Sequence, residues 1–432
     1  MFPDISALLT PKRLRVAQSV QSKWDRQPWM TAPAVQRLFE ALGAPDVDAR
    51  FVGGCVRNAV MGAVVGEIDV ATPERPEQVI DRLAAAGLKA VPTGIDHGTV
   101  TAIVDGTPFE VTTLRRDTAC DGRHADVEFT TDWHEDSRRR DFTMNAMSLR
   151  PDGTLFDDHG GIEDAKAGCI RFVGAAADRI QEDYLRILRL FRFFAWYGRS
   201  PIDEGTLAAC RAGADGLRSL SAERIQQEMA KLLAAPRPAA AITLMHAYGV
   251  LHAVLPEATK PAVLEALVAV EDNAPSFPPD WLRRLAALIA DDSAGHIARR
   301  LKLSNAACAR LTLLTKAEPK ISKDIGDRDL RRLFYKLGAA LVVDRALLAW
   351  VQSAVTGDID IEAWRAILRA AVEWTPRRFP ITGDDVLALG VPRGAEIGTR
   401  LAEIETYWID SGFDMSREDL LNALRRQSEI QK

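Results

Sequence analysis

The chain is poor in cysteine. Five are scattered through 432 residues (Cys55, Cys120, Cys169, Cys210, Cys308), and no two form a C-x-x-C pair. An odd, dispersed set argues against a disulfide framework and against a zinc site, and fits a reducing compartment, expected to be the cytoplasm. No apolar run reaches about 18 residues, so no membrane span is expected. The N-terminus, MFPDISALLTPKRLRVAQSV, places its apolar patch ahead of its basic residues. That is the wrong order for a secretory signal, and the stretch reads as mature sequence. An excess of basic charge is missing too: 55 Lys+Arg against 60 Asp+Glu leave a net charge of −5. This argues against a generally basic nucleic-acid coat, although it leaves local patches open. The seven histidines are dispersed and none precedes an aspartate, so nothing supports an accessory phosphohydrolase. There is no fixed-period repeat and no low-complexity tract.

What is present is ordinary in bulk, with 47% hydrophobic and 27% charged residues, and long enough for two to four domains. The informative stretch is FVGGCVRNAVMGAVVGEIDVAT, residues 51–72. Its Gly53-Gly54 precedes a helix start, where backbone N–H groups can approach an anion. If the segment that follows is a strand, Glu67 and Asp69 share one face and Ile68 and Val70 the other. Two carboxylates so close repel each other unless a cation lies between them, and carboxylate oxygens suit Mg²⁺ together with substrate phosphates. The plain alternatives are a solvated strand edge for Glu67 and Asp69 and a simple turn for the glycines.

In chain order, residues 1–50 read as helices, with Trp29, Val35, Leu38, Phe39 and Leu42 at helical spacing. Pro76 opens a helix that stops near Gly87. Residues 98–114 read as a hairpin about Asp105-Gly106, with Glu110 on the opposite face from Phe109 and Val111. Glu110 is a third candidate carboxylate if its strand lies beside that of Asp69. Residues 115–137 are polar and without clear periodicity, and read as a mobile loop. Turns are expected at Pro151–Gly153 and Gly160-Gly161, and nearly everything from about 175 onward reads as helical. Residues 181–197, QEDYLRILRLFRFFAWY, form the strongest helical pattern, with Asp183, Arg186 and Arg189 spaced i, i+3, i+6. One reading is a surface ion pair between Asp183 and Arg186, worth little. A sharper one is that the Asp acceptor and the Arg fork together match the Watson–Crick edge of cytosine or adenine and reject uracil and guanine. Arginine also clusters at Arg115-Arg116, Arg138–Arg140, Arg299-Arg300, Arg331-Arg332 and Arg377-Arg378, which are either solvated helix faces or phosphate contacts.

Taken together, GGCVRNAVMG…EIDVAT, FEVTTLRRD, RRRDFTMNAM, FDDHGGIEDAKAGCIRFVG, QEDYLRILRLFRF and SAERIQQEMAKLL run in one order over residues 51–233. This series resembles the bacterial tRNA nucleotidyltransferase/poly(A) polymerase family, in particular its class II CCA-adding enzymes. ITGDDVLALGVPRGAEIGTRL, residues 381–401, is similar to the family's C-terminal region. The resemblance implies an α+β fold, with a small mixed-sheet nucleotidyltransferase head followed by an elongated all-helical neck, body and tail. Expected divisions are 1–150 for N-terminal helices and head, 151–235 for the neck, and 236–432 for a tRNA-binding body and tail. It implies that Gly54 and Arg57 hold the nucleotide triphosphate and that Glu67 and Asp69 bind metal, with Glu110 as a third acid. Arg140 and Asp141 would contact nucleotide phosphate and ribose. Asp183 and Arg186 would read the incoming base, with Arg189 and Arg192 as nearby nucleotide contacts.

The implied activity is metal-dependent, template-independent addition of CCA to the tRNA 3′ acceptor end from CTP and ATP, with release of pyrophosphate. One ion at Glu67 and Asp69 would lower the pKa of the 3′-hydroxyl and a second would hold the triphosphate. The implied cofactor is Mg²⁺, with Mn²⁺ as the alternative. The alternatives are a poly(A) polymerase, a partial (CC- or A-) adding enzyme, or a weakened RNA-binding paralogue. Two departures bear on this. The first metal acid is usually Asp, and Glu67 adds one methylene, about 1.5 Å. Where the family usually has Arg-Asp, this chain has Arg57-Asn58.

Overall fold

The computed structural model describes residues 20–120, 125–274, 276–290, 292–316, 318–355, 357 and 360–430. The chain divides into two compact units, Met1–Pro256 and Glu257–Lys432. The expected divisions at 150/151 and 235/236 are different cuts through the same chain.

All the strands among the described residues lie in the first unit: β1 (Val20–Lys23), β2 (Arg50–Val52), β3 (Asp69–Thr72), β4 (Lys89–Gly94), β5 (Thr99–Val104), β6 (Thr107–Thr113), β7 (Arg115–Cys120), β8 (Ala125–Phe129), β9 (Ser148–Leu149) and β10 (Thr154–Asp157). Eight of them form one mixed sheet in the order β1-β10-β9-β2-β3-β6-β5-β4, while β7 and β8 pair separately. Within the large sheet only β3 and β6 run parallel. A parallel pair needs a crossover, and the chain between them supplies it through helix α3 and strands β4 and β5. The first-unit helices are α1 (Pro33–Ala41), α2 (Gly54–Met61), α3 (Pro76–Ala85), α4 (Trp133–Arg138), α5 (Gly161–Ala167), α6 (Ala176–Glu182), α7 (Leu185–Tyr197), α8 (Glu204–Gly213), α9 (Ala222–Leu233), α10 (Pro238–Ala247) and α11 (Val250–Val254).

Several local expectations hold for stated reasons. The β5–β6 hairpin turns on Asp105 (φ 51°) and Gly106 (φ 78°), the left-handed pair that a two-residue turn requires. Pro76 takes the first position of α3, which ends at Ala85. The apolar face of α1 and its approach meet β2: Trp29 and Phe39 pack edge-on against Phe51, with centroids 4.8 and 4.6 Å away. Each such contact adds about 1 kcal/mol beyond burial.

Four expectations are corrected. Residues 1–50 are not all helical, because Val20–Lys23 is an edge strand paired with β10; residues 1–19 lie outside the described residues. Glu67 is not on a strand, since β3 begins at Asp69 and Glu67 sits in the bend before it. Residues 115–137 are not an irregular loop: β7 and β8 form a hairpin, followed by α4 capped at Asp132. Its tip, residues 121–124, lies outside the described residues. The polar composition of the stretch hid a ribbon in which Arg116 bonds across to Glu128 at 2.9 Å. Finally, 181–197 is not one helix. Asp183 is extended (φ −155°, ψ 109°) and separates α6 from α7, so the i, i+3, i+6 geometry starts only after it.

The second unit holds ten helices among its described residues, from Pro261–Asp272 to Arg417–Ile430. One core gathers Leu267, Val342, Leu347, Trp350 and Trp364. Another gathers Ile381, Val386, Ile404, Trp408 and Leu420. Thr382 caps the helix Gly383–Ala388 in a reciprocal pair with Asp385, which explains why ITGDD begins a helix. No helix among the described residues is long and apolar enough to cross a membrane.

Candidate active site

Residues 53 and 54 sit where β2 ends and α2 begins. Gly53 has φ 70°, ψ −127°, and a Cβ there would lie 3.5 Å from Arg140 Nη1 and 3.8 Å from Asp69 Oδ2. A glycine is thus required by the backbone, and its missing side chain leaves room between a guanidinium and a carboxylate. The parallel register sets Asp69 opposite Glu110, which answers the question of adjacency that the sequence left open. Burial pushes the Asp69 carboxyl above its ordinary value. The negative charges of Glu110 and Glu67 push the same way, and Arg140 only partly opposes them. Asp69 is flanked by charge of its own sign on both sides, and none of the three side chains has a hydrogen bond or ion pair among the described residues. Among those residues no three His, Cys, Asp or Glu side chains close into a preformed cage. An open set of acids beside an arginine fits a hard cation that completes its shell with phosphate oxygens and water.

Arg57 is more enclosed than a free phosphate clamp, with 8% of its surface exposed. Its Nε donates to Asn58 Oδ1 (3.1 Å), Nη1 to Asn145 Oδ1 (2.8 Å), and Nη2 to Asn58 Oδ1 and to the Tyr197 hydroxyl (both 2.9 Å). The guanidinium also lies over the Tyr197 ring at 4.3 Å. Four of its five N–H groups are engaged, leaving one on Nη1. Arg140 is held by buried Asp136, one turn earlier on α4 (Nη2 to Oδ2, 3.0 Å), and reaches the Asn145 carbonyl with Nη1 at 3.4 Å. Burial raises the Asp136 carboxyl, but Arg140 and Arg139 outweigh it and hold it below the usual range.

Asp141 is 8% exposed. Its Oδ1 accepts from the Phe142 N–H (2.8 Å) and Asn145 Nδ2 (3.0 Å), and its Oδ2 from Arg189 Nε (2.8 Å) and Arg189 Nη2. All its acceptor positions are used. Burial raises this carboxyl too, and Arg189 and Asn145 pull it below its ordinary value. Arg192 makes an ion contact with buried Glu228 at 2.6 Å and lies 4.6 Å over the Phe193 ring.

Asp183 and Arg186 do not pair with each other. Asp183 accepts from Arg224 of α9 (2.6 Å) and caps the Leu185 N–H (3.0 Å). Arg186 contacts Glu182 and donates to the Arg179 carbonyl at 2.9 Å. The surface ion pair is therefore wrong, because the backbone break at Asp183 turns the two side chains to different partners.

Sequence reasoning passed over Asn145, Tyr197, Glu182, Arg224 and Glu228. Asn145 touches Arg57, Arg140 and Asp141 at once, yet nothing in RRRDFTMNAM marks it beyond its place in the motif. Arg224 and Glu228 stand in SAERIQQEM, where spacing four apart on a helix puts them on one face, although not what that face would meet. In the second unit, Arg331 and Arg377 line one cavity of about 260 Å³ with Trp374 and Phe413. Arg300 is instead bonded to Glu257 at 2.6 Å.

A mixed sheet presenting neighbouring carboxylates beside a glycine turn and several arginines defines a nucleotidyl-transferring head. A poly A polymerase head domain model matches residues 49–171, and one described as a probable RNA and SrmB-binding site of polymerase A matches 201–260. The mouse protein "CCA tRNA nucleotidyltransferase 1, mitochondrial" is 34% identical over 397 residues, covering 91% of this chain and 90% of its own. A "CCA-adding enzyme" of Limosilactobacillus fermentum is 31% identical, covering 90% and 95%. The crystal structure of the Bacillus stearothermophilus CCA-adding enzyme in complex with CTP aligns with a TM-score of 0.75 at 27% identity, over 93% of this chain and 99% of that one. The chain belongs to the CCA tRNA nucleotidyltransferase/poly(A) polymerase family. It is an enzyme of the nucleotidyltransferase class, whose members use a divalent metal.

Proposed function

We propose that this enzyme completes tRNA 3′ ends by adding C, C and A from CTP and ATP. The observation that carries the reading is the register of Asp69 beside Glu110, with Glu67 near and Arg140 across the Gly53 turn. Glu67 and Asp69, with Glu110 as the third acid, would hold Mg²⁺. When bound, such an ion lowers the pKa of the attacking hydroxyl and offsets phosphate charge. The tRNA 3′-oxygen attacks the α-phosphorus, the bond to the β-phosphate oxygen breaks, and pyrophosphate leaves. The backbone at Gly53 and Gly54 and the Nη1 side of Arg140 receive the phosphates. Arg57, with one N–H left, serves chiefly as the post that aligns α2 with Asn145 and Tyr197. Asp141, fully engaged, holds Arg189 and Asn145 toward the nucleotide rather than offering an oxygen to ribose.

Asp183 and Arg186 read the base by exchanging their present partners, Arg224 and Glu182, for its edge. Burial sharpens this choice, since an unmatched donor or acceptor costs about 1–3 kcal/mol. Arg186→Ala is expected to relax the choice among nucleotides more than it weakens metal binding, and an equal loss for all four would overturn the base-reading role. The test of the whole reading is a sequencing-gel assay on tRNA ending at its discriminator base, with Mg²⁺ and each nucleotide singly, then CTP with ATP. Three added residues, C-C-A, followed by a stop are expected. A long adenosine ladder would make the enzyme a poly(A) polymerase instead.

A further inference from the structure

We propose that Asn58 is a positioning residue that ties Arg57 to the segment carrying the first metal acid, and that only an amide can do this. The inference rests on the metal reading above. Helix α2 ends in a left-handed Gly62 (φ 69°). The Asn58 carbonyl accepts the Ala63 N–H at 2.9 Å, and the Gly62 N–H turns back to Ala59 at 3.2 Å, the paired bonds of a Schellman end. The Asn58 side chain then adds a bond in each direction. Its Oδ1 accepts from Arg57 Nε and Nη2 (3.1 and 2.9 Å), while its Nδ2 donates to the Val64 carbonyl at 2.9 Å.

Those partners fix the amide's orientation, because a guanidinium can only donate and a carbonyl can only accept. From Val64 the chain runs through Gly66 to Glu67 and then into β3 at Asp69. Val64 is 89% exposed, and residues 62–64, 66 and 67 all face solvent. Between Gly62 and Glu67 only Val65 is even half-buried. Asn58 holds this segment by two consecutive residues, one through the main chain and one through the side chain, just ahead of Glu67.

An aspartate at 58 would still accept from Arg57, and more strongly. It would, however, set a carboxylate oxygen against the Val64 carbonyl oxygen and release the segment. The amide is therefore matched to a longer acid at 67: Glu67 has one more rotatable bond than Asp, and a tethered approach limits where its carboxylate can travel.

The test measures Mn²⁺ binding to the full chain by electron paramagnetic resonance, with Asp69→Ala as the reference for loss of the site. CTP binding in EDTA is measured beside it. Asn58→Asp is expected to weaken Mn²⁺ binding about tenfold, the scale of one lost hydrogen bond, while CTP binding in EDTA stays within about twofold. Asn58→Ala, which removes both sets of bonds, is expected to weaken both. In Asn58→Asp, unchanged Mn²⁺ binding would overturn the positioning role while leaving the metal site standing. Parallel loss of both, with a lowered melting temperature, would overturn it in favour of a general structural role. Wild-type protein that binds no Mn²⁺ in an Asp69-dependent way would overturn both the metal reading and this inference.

Discussion

The two units each bury a network of arginines and acids, and the networks differ in what they leave over. In the second unit Arg283 is 3% exposed and donates to Glu271 (2.8 Å), to Asp344 (3.0 Å) and to the Pro278 carbonyl (2.7 Å). Arg284 donates to the other Glu271 oxygen at 2.8 Å, and Arg310 joins Asp344 to Asp280. Each of these acids has a cation on it. In the first unit Asp136, Asp141 and Glu228 are matched with arginines in the same way, but Glu67, Asp69 and Glu110 are not. A closed network pins helices together. A network with unmatched acids at one edge is a scaffold that holds like charges near each other until a ligand arrives.

The sharpest way to break that contrast is at the unmatched edge. Asp69→Ala is expected to lower nucleotide addition by about a thousandfold or more, the scale of removing one preorganised electrostatic element. The metal-free fold should be no less stable, because a like-charge neighbour has gone; single-turnover assays and thermal melts read the two quantities. The mirror experiment is Glu271→Ala in the second unit. Leaving Arg283 and Arg284 buried without their shared carboxylate is expected to cost about 3–5 kcal/mol in urea denaturation. CTP affinity of the molecules that remain folded should not move.

A smaller effect is expected at Asn145. Asn145→Ala removes a bond to Arg57 and another to Asp141 and should raise the KM for CTP and for ATP alike, by about tenfold; a change confined to one nucleotide would contradict its shared role. The smallest effect is a matter of sign. The Asp69 pKa is raised on folding, so its contribution favours the fold at low pH and is lost as pH rises through the raised value. The pKa values of Asp136 and Asp141 are lowered; their contribution is present above the ordinary carboxylate range and is lost as pH falls. Without metal, Asp69→Asn should therefore gain most over wild type near neutral pH and gain nothing in strong acid, as followed by melting temperature against pH.

Much of this enzyme was legible in its residues because local geometry carried the signal. Asp105-Gly106 gave a hairpin because two left-handed positions in a row suit few other pairs. Pro76 marked a helix start, and the order of six motifs marked the family. The errors came where polar sequence had tertiary uses. The 115–137 stretch is polar overall, and its one alternation, Ala125-Asp126-Val127-Glu128-Phe129, is too brief to stand out from it. The helical pattern of 181–197 ran straight through a break at Asp183, whose side chain is held by Arg224 from far along the chain.

The amino-acid sequence by itself determined most of the helices, the β5–β6 hairpin, the glycine turn and much of the list of residues able to do chemistry, since these depend on neighbours within a few positions. Only the tertiary structure decided which of those residues meet. The β3–β6 crossover brought Glu110 beside Asp69, Asn145 came to lie among Arg57, Arg140 and Asp141, and Asp183 and Arg186 were sent to separate partners. The meetings of Asp69 with Glu110, of Arg57 with Asn145 and of Asp183 with Arg224 join segments far apart in the chain. They are settled by burying the sheet and its helices together with the enclosed charges matched, Asp69 excepted, a condition that no window of sequence contains.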